Sequence, residues 1–220
     1  MKNSIIIAIL SMAAGACASA QNVNWQSFEP TQKHVVSLTA GWDYGLTLGI
    51  SYGRKFDTKL PTLANIEYSF PSGKNLFDDF KVRLGGQVEV WSWNGFTFTA
   101  KAYCPIRRFE NTRASLFSFG SEFSGVLGFY KQKWYVAGEF GFDKAIATHI
   151  RNQGRTLEDY PGAQNGWYVP TGGNFAYGLQ TGFSIGSNDL SVRLGNLVSQ
   201  GWDTTPFIPL FAQFGYQRRF

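Results

Sequence analysis

The chain has 220 residues, of which 17% are aromatic and only 16% are charged. Average soluble domains carry roughly 25% charged residues, so this composition favours a sheet with one face in lipid. The 20 basic and 15 acidic side chains leave a net charge of +5 without a long basic run, which argues against a nucleic-acid partner. The sequence has no stretch of about 18 apolar residues, so it predicts no transmembrane helix.

The first twenty residues have the layout of a secretory signal peptide. Lys2 supplies a positive start, residues 5–14 are almost entirely apolar, and residues 18–20 are small. We therefore expect cleavage after Ala20. An alternative interpretation makes Cys17 a lipid-attachment site.

Two further features concern the rest of the chain. After this cleavage Cys104 is the one cysteine left, which excludes an intramolecular disulfide and a thiolate metal site. The sequence predicts no other metal site and no cofactor. Residues 21–33 are interpreted as a polar N-terminal arm, and residues 34–220 as a single domain.

From residue 34 onward hydrophobicity has a period of two, which is typical of β-strands with one apolar face. The clearest case is 174–186, where large apolar side chains alternate with small or polar ones. Most of the alternating segments have about 9–11 residues, the length that a tilted strand needs to cross a bilayer. The ten predicted strands are 35–43, 45–56, 62–70, 79–92, 96–106, 116–130, 134–148, 174–186, 190–198 and 209–220.

The links between these strands alternate in length. Short links follow the even strands up to the eighth, and Asn94-Gly95 is a strong hairpin signal because both positions require a positive φ. Longer links mostly follow the odd strands, and the longest runs from 150 to 173. Short periplasmic turns and long external loops are typical of outer-membrane barrels, with the termini and the arm in the periplasm. We therefore predict an all-β, antiparallel up-and-down transmembrane β-barrel of ten strands, with eight strands as the alternative.

Alternation alone does not decide which face of the sheet points inward. The apolar face carries more large side chains than a narrow barrel can hold, while the opposite face is rich in Gly, Ser and Thr. Aromatic residues also cluster at both ends of the strands, as they do at membrane interfaces. We predict that the apolar face contacts lipid. The alternative is a soluble sandwich that buries this face.

The last predicted strand ends in Phe220, with Tyr216 on the same face and Gly215 beside it. This ending resembles the C-terminal insertion signal of bacterial outer-membrane β-barrel proteins. The resemblance implies an outer-membrane location and recognition by the barrel-assembly machinery. Arg218 departs from the pattern, because a hydrophobic residue is usual at that position. The Ala20–Gln21 junction also resembles those of Bacteroidota.

The inward positions of the predicted strands carry charges of both signs. One interpretation is a selectivity lining or gate in a narrow pore. The alternative is a salt-bridged plug that fills the barrel and passes no water. Near-balanced signs are expected in both cases, because an unpaired buried charge is costly. The predicted lumen charges are Glu67, Lys81, Arg83, Glu89, Lys101, Glu122, Glu139, Asp143, Arg193 and Arg219.

His149 follows Glu139 and Asp143 on the inward parity of the seventh strand, near the outer rim. A histidine beside carboxylates raises the alternative of an outer-membrane hydrolase, either a protease or a lipid-modifying enzyme. Such an enzyme needs a nucleophile or activated water held against the base. Exposed aromatic residues in the external loops either form a recognition patch or pack onto the barrel mouth. They are Tyr160, Trp167, Tyr168 and Trp202.

The sequence therefore predicts a non-enzymatic integral outer-membrane protein. Its role is structural or surface recognition, or the passive passage of small solutes through a narrow pore. The expected partners are outer-membrane lipid, the barrel-assembly machinery during biogenesis, and a small solute or a surface partner.

Overall fold

The computed structural model describes residues 22–42, 45–71, 79–154, 156, 159, 162–201 and 209–220. The predicted signal peptide, its cleavage after Ala20, the alternative at Cys17, and the loop residues Tyr160 and Trp202 lie outside this part of the chain. Within it, no helix is long and apolar enough to cross a membrane.

A short 3-10 helix, Trp25–Ser27, precedes eleven strands in the described residues. Most of the strands begin and end within a few residues of the predicted bounds. The strands are β1 (His34–Trp42), β2 (Leu46–Phe56), β3 (Thr62–Pro71), β4 (Phe80–Trp93), β5 (Phe96–Glu110), β6 (Ala114–Tyr130), β7 (Trp134–Asn152), β8 (Gly166–Tyr168), β9 (Gly173–Ile185), β10 (Asn188–Ser199) and β11 (Leu210–Arg219).

Ten of these strands form a closed antiparallel barrel in which neighbours along the chain are neighbours in the sheet. β1 pairs with β11 in a register that sets Val36 opposite Arg218, and this pairing closes the sheet on itself. β8 lies outside the barrel and pairs with β7. The predicted ten-stranded antiparallel barrel is confirmed, and the eight-stranded alternative is wrong.

The two ends of the barrel differ in the length of their links. The end of the barrel that carries the links 57–61, 94–95, 131–133 and 186–187 is called the turn end, and the opposite end is called the loop end. At the turn end Asn94 and Gly95 have φ values of 53° and 90°. These positive values are those that a two-residue hairpin requires, as the sequence predicted.

A β-bulge in β7 changes which side chains face inward. Ile146 has no partner on β6, because Phe119 pairs with Ala147 and Gly120 pairs with Ala145. Buried positions are therefore odd-numbered before the bulge and even-numbered after it. The three residues 145–147 contain no glycine or proline that would mark the irregularity, so the alternation of the sequence did not reveal it.

Three strands run past the loop end of the barrel. The pairing of β7 with β9 ends at Lys144 and Gly173, and β7 then continues to Asn152 along β8. We call residues 106–119, 145–152 and 166–168 the loop-end protrusion. This segment includes part of the predicted 150–173 loop, which is partly strand. The core of the protrusion consists of Ala114, Leu116 and Ile150, with Tyr168 packed against them.

Candidate functional site

The predicted lumen charges lie inside the barrel, where alternation along the strands directs them. Nine of the ten side chains are buried. The tenth, Glu89, is half-buried at the turn end, six residues along β4 from Arg83. The buried charges form one central group and one group beside the turn end.

Arg83 joins two carboxylates in the central group. It forms an ion pair with Glu67 on the adjacent strand β3. Its Nε also lies 3.2 Å from Oε2 of Glu122 on β6, which is two strands away. Lys101 on β5 interacts electrostatically with both carboxylates. Arg83 therefore connects three strands through buried charges, and its own side chain is only 1% exposed.

Two further ion pairs extend this central group. The Nε of Arg193 on β10 lies 2.6 Å from Oε1 of Glu139 on β7. Its guanidinium carbon is 4.1 Å from the ring centroid of Phe211. Toward the loop end Arg107 pairs with Asp143. The sequence analysis ended the fifth strand at residue 106 and so did not include Arg107 in the lumen, although alternation along the longer β5 could have placed it there.

The lumen around Arg193 is crowded by these side chains. Two cavities that both touch Arg193 measure about 10 Å³ each, close to the smallest volume that holds one water molecule. Each of the four lumen arginines has a carboxylate partner, which offsets the cost of removing its charge from water. This arrangement has the chemistry of a plug.

The N-terminal arm closes the turn end of the barrel. Val23 and Trp25 are almost completely buried and pack against Val35 and Leu63. Trp25 also donates a hydrogen bond from Nε1 to Oγ1 of Thr99 over 2.9 Å. The sequence analysis interpreted 21–33 as a polar arm beyond the barrel. The alternation of Val23 and Trp25 with asparagines was the signal that could have revealed its inward face.

Polar contacts hold the arm to four parts of the barrel. Asn22 donates a hydrogen bond to the hydroxyl of Tyr130. Asn24 donates to the carbonyl oxygen of Lys131 over 2.9 Å and to the hydroxyl of Ser184 over 3.2 Å. Gln217 donates to the carbonyl oxygen of Asn22 over 3.2 Å. The arm is therefore fixed by side chains of β6, β9 and β11 and by one turn.

Arg219 ties the arm to the barrel wall in the second charged group. Its Nε lies 3.0 Å from Oδ2 of Asp189, and it donates hydrogen bonds to the carbonyl oxygens of Ser27 and Gly186. Asp189 is a lumen carboxylate that the sequence analysis assigned to a turn. Arg219 thus connects the last strand, the β9–β10 turn and the arm at one point.

His149 lies on the outer face of the barrel, so the predicted inward position is wrong. The bulge at Ile146 shifts the parity of β7 by one residue before the chain reaches this histidine. The His149 ring is 5.1 Å from the ring of Trp167, in an edge-on arrangement. Glu139 and Asp143 face the lumen, so the histidine and these carboxylates lie on opposite sides of the sheet.

The last residues of the sequence, which resemble a C-terminal insertion signal, lie at the junction of β11 and β1. Phe220 exchanges two backbone hydrogen bonds with His34, of 2.8 and 2.9 Å, and the two rings stack at 5.6 Å. The hydroxyl of Tyr216 donates to Oδ1 of Asn188 over 2.7 Å. Gly215 lies opposite Thr39 in the same ladder.

At the loop end, Tyr168 packs onto the protrusion while Trp167 is 60% exposed. Hydrogen bonds from Gln153 and Arg108 hold the pKa of the Glu110 carboxyl below its ordinary value. These contacts give the protrusion fixed polar edges as well as an apolar core.

Cys104 is exposed on the outer face of β5 and is a free thiol. Within the described ranges, no group of three or more His, Cys, Asp or Glu side chains is arranged to hold a metal ion. A comparison with models of known protein families and a comparison with curated proteins each found no match.

Proposed function

We propose that the chain is a non-enzymatic integral outer-membrane protein, a sealed barrel that presents the loop-end protrusion to a surface partner. The observation that carries this proposal is the distribution of polarity. The charges are concentrated inside the barrel, and large apolar side chains cover its outside. A soluble protein has the opposite arrangement.

Every strand of the barrel contributes to this apolar outer surface. Phe214 and Leu179, for example, are 66% and 67% exposed. Contiguous apolar patches larger than a few hundred Å² mark membrane or protein contacts, and here the apolar surface surrounds the molecule. One exposed residue from each strand in barrel order is Leu38, Ile50, Ile66, Leu84, Phe98, Phe123, Phe140, Leu179, Leu190 and Phe214.

A closed barrel also satisfies the backbone hydrogen bonds of every spanning strand without water, which the interior of a bilayer requires. The apolar strand lengths are those that a tilted strand needs to cross. The short turns at one end and the protrusion at the other are consistent with a periplasmic turn end and an external loop end.

The crowded lumen supports a sealed barrel rather than an open pore. The ion pairs of Arg83, Arg107 and Arg193 occupy the centre, and the arm covers the turn end. The loop-end protrusion is then the surface through which the protein acts. Trp167 is 60% exposed there, as expected for a side chain that anchors a partner.

A narrow passive pore is the second candidate. It is favoured by one observation: several of the contacts that hold the arm are hydrogen bonds to single side chains and carbonyl groups, which can exchange with water. In this second function the arm is a removable cover, and the ion pairs beneath it line the solute path.

The outward position of His149 argues against a hydrolase with this residue as its base. Its ring contacts Trp167, and the carboxylates of β7 face the other way. We expect that His149→Ala does not change the activity of the protein on lipid or peptide substrates. Loss of a hydrolytic activity in this variant would contradict the non-enzymatic proposal.

Single-channel recording in a planar lipid bilayer tests both candidate functions. We expect the intact protein to insert without conductance, and a variant that lacks residues 22–32 to insert and conduct intermittently. Trp167→Ala serves as a control at the opposite end and should behave like the intact protein. Stable conductance by the intact protein would support the pore, and failure of the folded protein to enter lipid would overturn the membrane location.

A further inference from the structure

Arg218 lies on the opposite side of the sheet from the ion pairs of the lumen. It is exposed on the outward face of β11, beside the lipid-facing Tyr216. No carboxylate lies within ion-pair distance of Arg218 among the residues that the structure describes. A charged side chain at a lipid-facing position is costly unless it meets a partner of opposite charge. The C-terminal insertion signal that the end of this chain resembles usually has a hydrophobic residue at the position of Arg218, so an arginine there is more unusual.

The strand register places a second arginine close to Arg218. Arg54 on β2 lies opposite His34 on β1, and Arg218 on β11 lies opposite Val36 on the same strand. The two arginines therefore flank β1 on its outward face. Their Cα atoms are separated by about 10 Å across the strands and about 7 Å along them, as estimated from strand geometry.

Long basic side chains at such positions extend toward the polar edge of the membrane. Arg54 lies at the turn-end rim, and Arg218 lies one row deeper on the apolar surface. An extended Arg218 therefore brings its guanidinium group toward Arg54. Val36 lies between Arg218 on β11 and Tyr52 on β2, one row below His34 and Arg54.

Aromatic side chains lie between and beside the two arginines. The Nδ1 atom of His34 is 2.7 Å from the hydroxyl of Tyr52, and its ring stacks on that of Phe220. The guanidinium carbon of Arg54 is 5.4 Å from the ring centroid of Phe56. These contacts hold His34 and Arg54 at the rim, as interfacial aromatic residues do. Exposed Leu38 continues the same face of β1 as apolar surface.

The surrounding charges favour an anion at this end. Exposed Lys33, Lys59, Lys131 and Lys133 lie at the turn end with the two arginines. Of the exposed carboxylates there, Asp57 is already paired with Lys55 at 3.0 Å and with Lys33 at 3.7 Å. With Glu29 as a further exposed carboxylate at this end, the basic side chains still outnumber the acidic ones among the described residues.

We propose that Arg54 and Arg218, with His34 between them, form a binding site for the phosphate of an anionic phospholipid headgroup. Arginine is suited to this role because its planar fork can donate two hydrogen bonds to one phosphate. The acyl chains of the lipid then lie along the apolar surface at Leu38 and Ile50. The inference rests on the proposed membrane location, and a free phosphate ion is the other source of the same chemistry.

Native mass spectrometry of the full chain tests the site. The protein is released from nanodiscs that contain phosphatidylglycerol and phosphatidylcholine in equal amounts, with matched acyl chains. We expect retention of phosphatidylglycerol over phosphatidylcholine. Arg54→Gln and Arg218→Gln should each lower the retained ratio about tenfold, because a hydrogen bond to a charged group typically contributes about that factor beyond the general attraction of a basic surface. Arg218→Leu restores the usual hydrophobic residue and provides a second variant that preserves folding.

The matched control is Lys59→Gln with Lys133→Gln, which removes the same charge from the same end. A smaller loss in this control than in the protein that carries both Arg54→Gln and Arg218→Gln supports a local site. An equal loss, or equal retention of both lipids by the unchanged protein, overturns it. Displacement of the lipid by millimolar inorganic phosphate would assign the arginines to a free anion and overturn the lipid site. A chain that never enters the nanodisc would instead contradict the proposed function itself.

Discussion

The turn end and the loop end of the barrel are closed by different means. At the turn end the arm inserts Val23 and Trp25 into the barrel, and Arg219 ties the arm to the wall. At the loop end β5, β6 and β7 extend beyond the barrel and build a protrusion with its own core. One end is filled by a segment from outside the sheet, whereas the other is extended by the sheet itself.

This difference assigns the stabilising contacts to the turn end and the side chains available to a partner to the protrusion. The turn end combines short turns, buried polar contacts and ion pairs, so most substitutions there remove a contact that nothing replaces. The protrusion exposes Trp167, whose side chain contributes little to the fold. We therefore expect stability to be concentrated at the centre and the turn end, and tolerance to substitution at the tip of the protrusion.

The largest effect should come from Arg83→Met. This change leaves the buried carboxylates of Glu67 and Glu122 without their arginine partner, which typically costs about 3–5 kcal/mol. The free energy of unfolding in lipid vesicles, measured by urea titration, should fall by that amount. Arg113→Met is the matched control at an exposed position of the loop end and should cost less than about 0.5 kcal/mol. Equal effects of the two substitutions would show that the central ion pairs do not stabilise the barrel.

Trp25→Ala should detach the arm without unfolding the barrel. Removing a buried tryptophan costs about 3 kcal/mol or more, and here the loss is confined to the docking of the arm. Hydrogen exchange should show faster exchange in residues 22–33 with unchanged protection of β6. Gln26→Ala is the control, because Gln26 is exposed in the same segment. Uniformly faster exchange across the barrel would mean that the arm is part of the global fold.

Tyr130→Phe should have a smaller effect at the same end. It removes the hydroxyl that accepts a hydrogen bond from Asn22 and keeps the ring stacked on Tyr135. The expected loss of arm docking is about 1 kcal/mol. Tyr168→Phe removes a hydroxyl that donates to Gln164 at the loop end and is the control. A larger exchange effect in the control would reverse the proposed difference between the two ends.

Trp167→Ala should have the smallest effect on folding. The side chain is mostly exposed, and such surface substitutions usually change stability by less than about 0.5 kcal/mol. The same substitution should weaken binding to a surface partner if the protrusion presents one. Leu116→Ala, in the core of the protrusion, is the contrasting variant and should cost about 2 kcal/mol or more. Thermal unfolding in detergent measures the loss of stability in both variants, and equal losses would show that the Trp167 side chain stabilises the fold.

The barrel itself was predictable because its strands follow one rule. A period of two, repeated ten times with turn residues between, fixes the strands and the sheet order together. Arg83 and Glu122 could be assigned to the lumen from parity alone, with no knowledge of their partners. Their ion pair depends on the positions of β4 and β6 around the closed barrel, which the alternation of a single strand does not contain.

Two features escaped the same rule for different physical reasons. The bulge at Ile146 inserts one residue without a change in composition, and it reverses the face of His149 and everything after it. The arm buries Val23 and Trp25 inside a barrel formed by residues far along the chain, so its environment is set by tertiary packing. The period and composition of a segment describe a strand and its immediate neighbours. They contain no signal for the bulge at Ile146 or for the burial of the arm inside the barrel.

The closure of β1 on β11 has a consequence for the order of assembly. The other ladders of the barrel join strands that are connected by short or moderate lengths of chain. The contact of Gln217 with Asn22 and that of Arg219 with Ser27 join residues that are 195 and 192 positions apart. Joining the ends of so long a chain costs about 3 kcal/mol more entropy than forming a tight hairpin. The full set of contacts that holds the arm includes β11, so it can form only after the first and last strands have met. An unfinished barrel lacks part of the surface on which the arm docks, and its turn end is not yet completely covered.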